Sequence, residues 1–234
     1  MISKPQMLNG TPIPYSASVN ELRSQLRPAG DRAWAACIAL GHKDGPEAFK
    51  VLTSLAEDPD WRYRRSAIEA LALHPLAKQA ANRICVALRD SSPYVVRTAC
   101  RTAATLRLGD AHDAVIDLLQ STTAATRETA IRALETLWKP SDFSLVFKLH
   151  NSDPVESVRR MAGWTLRTNA SGKNWRHLFQ KWRKDTLHRH RIWACEIAGL
   201  FGDSSDKSKL KPLCQDVDGH VRKAAQRALG GGSR

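Results

Sequence analysis

The sequence predicts an all-α fold, an α-solenoid of about seven two-helix repeats, and three observations carry that prediction. The first is a nine-residue phrase, Val-Arg-x-x-Ala-x-x-Ala-Leu with substitutions, whose clearest copy runs from Val221 to Leu229. Its arginine recurs as Arg32, Arg64, Arg97, Arg127, Arg159, Arg191 and Arg222, at spacings of 32, 33, 30, 32, 32 and 31 residues. The second is an amphipathic helical pattern in each interval between phrases. The third is an acid or hydroxyl residue, often with proline, just before the phrases. Self-similarity at such a period means stacked two-helix units, each packing only on its neighbours.

Each element follows from local chemistry. Residues 1–17 carry Pro5, Pro12, Pro14 and Gly10 without a helical period, and read as a flexible arm. Ser18 and Glu21 form a capping box that opens a helix through Arg27, with Val19, Leu22 and Leu26 on one face. Pro28-Ala29-Gly30 ends it, and the first phrase helix runs from Asp31 through Leu40. The pattern then repeats as helices 46–56 and 61–73, 77–88 and 94–107, 111–119 and 124–138. It continues as 142–150 and 155–168, 173–183 and 187–200, 205–215 and 219–229. Turns such as Asp58-Pro59-Asp60 and Asp153-Pro154 precede the second helices, where side-chain oxygens cap free amides and suit the helix dipole. The fourth repeat has Ser121-Thr122-Thr123 in place of an acidic turn. Residues 230–234 have the composition of a flexible tail or a cloning scar. No strand-like alternation is long enough to predict a strand.

Two-helix units of this length, with Asp-Pro or an equivalent turn before Val-Arg-x-x-Ala-x-x-Ala-Leu, resemble HEAT repeats. The short period is most similar to the compact HEAT-like repeats of phycobilisome lyases. The resemblance covers residues 18–229 and implies a right-handed α-α superhelix with the phrase helices on its inner, concave side. It also implies that the repeated arginines bridge to turn acids of adjoining units. It says little about function, because the family hosts scaffolds, adaptors, lyase subunits and DNA-repair enzymes.

Composition narrows the function. The net charge of +13 is uneven: residues 1–120 hold 15 Lys and Arg against 12 acids, and residues 121–234 hold 21 against 11. Residues 159–191 carry ten basic residues and one acid, Asp185. Such a field favours an anionic partner, nucleic acid or an acidic protein surface, or else serves only solubility. No run is long enough to span a membrane, and Met1–Tyr15 lacks the apolar core of a secretory signal, so a cytoplasmic protein is the default. Cys37, Cys85, Cys100, Cys195 and Cys214 are scattered without metal-ligand spacing and read as small buried hydrophobes. No cofactor or metal is expected.

Helical geometry points to the binding residues. The phrase's Ala, Ala and Leu positions share the buried face, so the positions between them face outward. There the chain carries Trp34, Arg65, Arg132, Arg160, Trp164, Trp193, Lys223 and Arg227. Just before the phrase arginines lie Trp61, Arg62, Tyr94, His188 and Arg189. Trp and Arg dominate binding hot spots, and the combination also suits phosphate plus unpaired base. The bland alternative is that these tryptophans pack between repeats. In helix 173–183, Trp175, Leu178, Phe179 and Trp182 make a core stripe, leaving Lys173, Arg176, Lys181, Arg183 and Lys184 as an outer basic face.

The chain lacks a His-Glu dipeptide, a phosphate-binding glycine loop and a G-x-S-x-G motif. The sequence reading is therefore a non-catalytic scaffold whose basic, Trp- and Arg-rich concave surface holds an anionic partner. Two alternatives stay open. One is an enzyme, either a lyase for a covalently bound chromophore or a glycosylase like the alkylpurine DNA glycosylases that the chain resembles in architecture and basicity. A glycosylase would need a groove carboxylate such as Glu69 or Glu196. The other is a structural adaptor in a larger assembly, docked through the outer basic helices.

Overall fold

The computed structural model describes residues 6–172 and 174–230. Lys173, residues 1–5 and residues 231–234 lie outside it, including most of the tail predicted at 230–234 and part of the arm predicted at 1–17. The chain divides into two compact units, Met1–Trp138 and Lys139–Arg234.

Unit 1 holds four helix pairs. They are α1 (Val19–Ser24) with α2 (Asp31–Gly41), α3 (Pro46–Leu55) with α4 (Trp61–Leu71), α5 (Ala81–Ala87) with α6 (Pro93–Thr105), and α7 (His112–Leu118) with α8 (Ala124–Leu137). Unit 2 holds three. They are α9 (Phe143–Ser152) with α10 (Glu156–Thr168), α11 (Asn174–Trp182) with α12 (His188–Phe201), and α13 (Ser204–Ser208) with α14 (Gly219–Leu229). The predicted helix 205–215 is divided. Pro212 has no N–H to give and sits in a separate 3-10 turn, Lys211–Gln215.

The repeated small residues explain why the second helices stack. The phrase alanines and their substitute, Ala35, Ala67, Cys100, Ala130, Ala162, Ala194 and Ala225, are all buried, none more than 1% exposed. The residues three further on, from Ile38 to Ala228, are buried too, none more than 8% exposed. Short side chains let α2, α4, α6 and α8 approach one another in unit 1, and α12 and α14 in unit 2. The stripe read in α11 is core: Trp175, Leu178, Phe179 and Trp182 are buried.

The phrase arginine belongs to a repeating turn. Asp58, Asp90, Asp153, Asp185 and Asp216 each accept the backbone N–H two residues on, which bends the chain into the next helix. Ser121 does the same with its hydroxyl, so the fourth repeat keeps the turn without the acid. Six residues after these turns, Arg64, Arg127, Arg159, Arg191 and Arg222 donate to two consecutive turn carbonyls. Arg64 and Arg191 use their other edge to grip the acid of the following turn, Asp90 and Asp216. Each such arginine therefore ties two successive repeats together. Arg97 differs and lies over the Tyr94 ring at 4.9 Å.

The arm differs from expectation. Met7–Leu8 pairs antiparallel with Thr11–Pro12. The connecting Asn9 and Gly10 take φ of 48° and 81°, which Asn-Gly adopts at low cost and which matches strand twist. Ile13 beyond the hairpin is buried, and Lys43 donates to the Tyr15 carbonyl at 2.7 Å. Burial of Ile13 and that bond hold the segment against α2.

Candidate functional site

In unit 1 the outward positions of α2, α4 and α6 form an array of rings and guanidinium groups. Arg65 and Glu69 stand one turn apart on α4, so both reach the same neighbour. That neighbour is Trp34 of α2. Its indole N–H donates to Glu69 Oε2 at 3.0 Å, and Arg65 lies 4.9 Å from its ring centre. One repeat on, Trp61 stacks on Tyr94 of α6 with ring centres 4.8 Å apart and planes 21° apart. Arg62 hydrogen-bonds Asp60 through Nε and a terminal nitrogen, which raises the arginine pKa and holds the carboxyl below its usual range. A cavity of about 240 Å³ opens among Trp34, Trp61, Arg62, Arg65 and Asp31.

In unit 2 a wider groove of about 670 Å³ lies along α12 and α14. Its rim carries Arg167 from α10 and His220, Lys223 and Arg227 from α14. Ile192, Leu200, Ala224 and Ala228 contribute its apolar lining. Glu196 is held by Arg167 at 2.8 Å. Trp164 is exposed and carries Arg167 at 4.4 Å over its ring.

The structure corrects one predicted site residue outright. Trp193 is 6% exposed and belongs to the core. Its ring lies 5.4 Å from both Trp182 and His190, and Gly163 leaves room for it on α10. The helical pattern put it on the outward face, but the missing side chain at Gly163 opens an inward pocket that a large ring fills. Around it, Trp182 donates its indole N–H to His150 Nε2 at 3.1 Å. His150 then donates through Nδ1 to the Arg159 carbonyl at 3.0 Å, which fixes a neutral tautomer. His190 Nδ1 stands 3.0 Å from the Asp185 carboxylate.

The remaining predicted residues are scattered. Arg132, Arg160 and His188 are exposed on α8, α10 and α12, while Arg189 is half-buried with its guanidinium 5.8 Å over the Trp193 ring. On the outer face, Arg176 pairs with Asp203 and Asp206, Lys181 bonds Asn151, and Arg183 bonds Gln180. Lys184 is exposed, and Lys173 lies outside the described residues. Arg97, Arg167 and Leu200 also lie at these sites although the sequence did not single them out for binding, and Glu69, expected there only as the carboxylate of a glycosylase, is bound to Trp34. The i, i+3 spacing of Trp164 and Arg167 was a usable signal for one of them.

Among the described residues no cluster of three metal-ligand side chains occurs, and no helix is long and apolar enough to cross a membrane. Burial pushes the thiols of Cys37, Cys100 and Cys195 up to about 12, as suits inert core cysteines.

The family model for HEAT repeats matches residues 19–83 and 81–167, more than half of the chain. The chain belongs to the HEAT-repeat family. This HEAT-repeat chain is similar in fold to YibA of Escherichia coli, at 19% identity over 92% of this chain and 83% of that one, with a TM-score of 0.67. It is similar to the complex of CpcE and CpcF of phycocyanin lyase from Nostoc sp. PCC7120, at 17% identity over 98% of each chain and a TM-score of 0.56. An engineered protein matches at 20% identity, over 91% of this chain and 67% of that one, with a TM-score of 0.55. No curated protein matches the sequence. At these identities the structural likeness concerns the HEAT fold alone.

Proposed function

We propose that the protein is a non-catalytic binding scaffold that holds an anionic partner on outward-facing side chains of its second helices. The observation that carries this reading is the array on α2, α4 and α6, where Trp34, Trp61 and Tyr94 alternate with Arg65 and Arg97. Such side chains are costly to leave on a surface without use, and they are the types that anchor interfaces. They are also held in place by each other, so little side-chain freedom is lost when a partner arrives. The acids that a catalytic reading would need are engaged: Glu69 accepts from Trp34 and Glu196 from Arg167. An acidic protein segment is the first choice of partner. CpcE and CpcF, similar in fold, were solved as a complex of two chains.

Single-stranded nucleic acid is a second reading, favoured by the stacked Trp61–Tyr94 pair and the ring-walled cavity beside it. One experiment separates them. Partners are captured with the intact protein and with a Trp61→Ala/Arg65→Glu variant, with and without nuclease. Loss of capture in the variant supports the array, and survival under nuclease selects protein. Unchanged capture by the variant removes the array from the function. If nucleic acid is the partner, affinity for an oligo-dT probe falls roughly 10³-fold or more between about 50 and 200 mM salt for six or more phosphate contacts.

A further inference from the structure

We infer that the groove along α12 and α14 is a docking site for an acidic amphipathic helix of a protein partner. The inference shares with the proposed function the reading that side chains of the second helices bind, but it lies within unit 2 and uses no residue of the aromatic array.

Three features of the groove define its occupant. The floor is apolar: Ile192 and Leu200 come from α12, and Ala224 and Ala228 from α14. Leu200 is 68% exposed, so it stands open at the groove with its surface unburied. At the floor, Gly199 and Ala228 let the two helices meet, and a Cβ on Gly199 would stand 3.3 Å from that of Ala228. The rim is cationic on the α14 side. Lys223 and Arg227 are one turn apart and share a face, with His220 one turn before Lys223. Among the described residues no carboxylate lies within ion-pair distance of Lys223 or Arg227, whereas Arg167 across the groove is already neutralised by Glu196. Charge is therefore unbalanced along one edge only.

An apolar floor with one positive edge matches a helix that has an apolar stripe flanked by Asp or Glu. Leucine-like side chains at i, i+3, i+4 and i+7 would cover Leu200, Ile192 and Ala224, and the flanking acids would meet Lys223 and Arg227. Nucleic acid fits less well. The groove lining offers no Trp, Tyr or Phe ring for a base to stack on, only the His220 imidazole, and Glu196 would face the phosphates.

The test selects peptides from a phage-displayed library of helical sequences on the intact protein. Binding of the winners is then measured to Lys223→Glu/Arg227→Glu, to Leu200→Asp and to Trp61→Ala/Arg65→Glu. All the substituted side chains of the first two variants are exposed, and circular dichroism checks that they fold. The expected winners carry an apolar stripe edged with acids. Their affinity falls tenfold or more in each of the first two variants and is unchanged in the third. Failure to enrich any peptide, winners without acidic edges, or affinity indifferent to Leu200→Asp overturns the inference. So does an oligo-dT probe that binds the intact protein and loses its binding in the same two variants. If the first two variants behave as expected while Trp61→Ala/Arg65→Glu leaves partner capture intact, the aromatic array fails and the groove stands.

Discussion

Arg191 holds Asp216 with two hydrogen bonds, 2.7 Å from Nε and 2.9 Å from a terminal nitrogen, while its other edge donates to the Asp185 and Thr186 carbonyls. The side chains are 13% and 9% exposed, so the pair is largely removed from water. Removing the arginine orphans a shielded carboxylate and two turn carbonyls at once. Arg191→Ala is expected to cost about 3 kcal/mol in urea denaturation. Arg191→Lys keeps the charge but not the fork, and should recover only part of the loss. Arg160→Ala, exposed on α10, should stay within about 0.5 kcal/mol. Equal effects at Arg160 and Arg191 would rule out the structural role.

Gly163 sets a second stability test. A Cβ there would lie 2.9 Å from the His150 ring and 2.9 Å from the Trp193 ring. Both rings are locked by neighbours, so neither can give way cheaply. Gly163→Ala should destabilise by about 1–3 kcal/mol through overpacking. The matched control is Gly109→Ala, where nothing lies within 4 Å of the added carbon. Its melting temperature should hold or rise slightly, and a large drop there would point to backbone effects instead.

Stability should also depend on pH through His150. Burial lowers its pKa below 6.5, and the nearby His190 and Lys181 push the same way against the bond to the Arg159 carbonyl. Burial lowers His74 as well. The unfolded imidazoles take up protons below 6.5 while the folded ones resist, so acidification through that range favours unfolding. Full stability is expected above 6.5, with a melting temperature that falls as the pH drops below that value. His150→Gln should lower stability at neutral pH yet flatten this fall, leaving the share due to His74. A fall as steep as in the unsubstituted protein would exclude His150 as a source.

The sequence made the repeat architecture legible because the small residues and the turn acids recur at one spacing. The Arg64–Asp90 and Arg191–Asp216 pairs follow from that spacing, as the family resemblance implied. The hairpin at Met7–Pro12 was signalled by Asn9-Gly10 but masked by the surrounding prolines. Trp193 was not legible. Its inward turn depends on Gly163, thirty positions earlier on another helix, and helical periodicity sees only one helix at a time. The same limit hid the joint grip of Arg65 and Glu69 on Trp34. It also left open which of the basic residues were already spent on acids, as Arg176 and Arg62 are.

The two tryptophans that the sequence placed together therefore separate on mutation. Trp193→Ala empties a site in the core beside Trp182, His150 and His190, and should cost about 3–5 kcal/mol. Loss of binding in that variant would report unfolding of unit 2, so it is unsuitable as a probe of the surface. Trp61 is half-buried, and its principal ring contact is the stack on Tyr94. Trp61→Ala gives up an aromatic pair worth about 0.5–1.5 kcal/mol beyond its buried area. The fold should survive this at ordinary temperature, and partner capture should fall. Thermal denaturation and capture measured on both variants decide the matter. If Trp61→Ala melts as early as Trp193→Ala and still binds, Trp61 is a packing residue and the array on α2, α4 and α6 is scaffold rather than site.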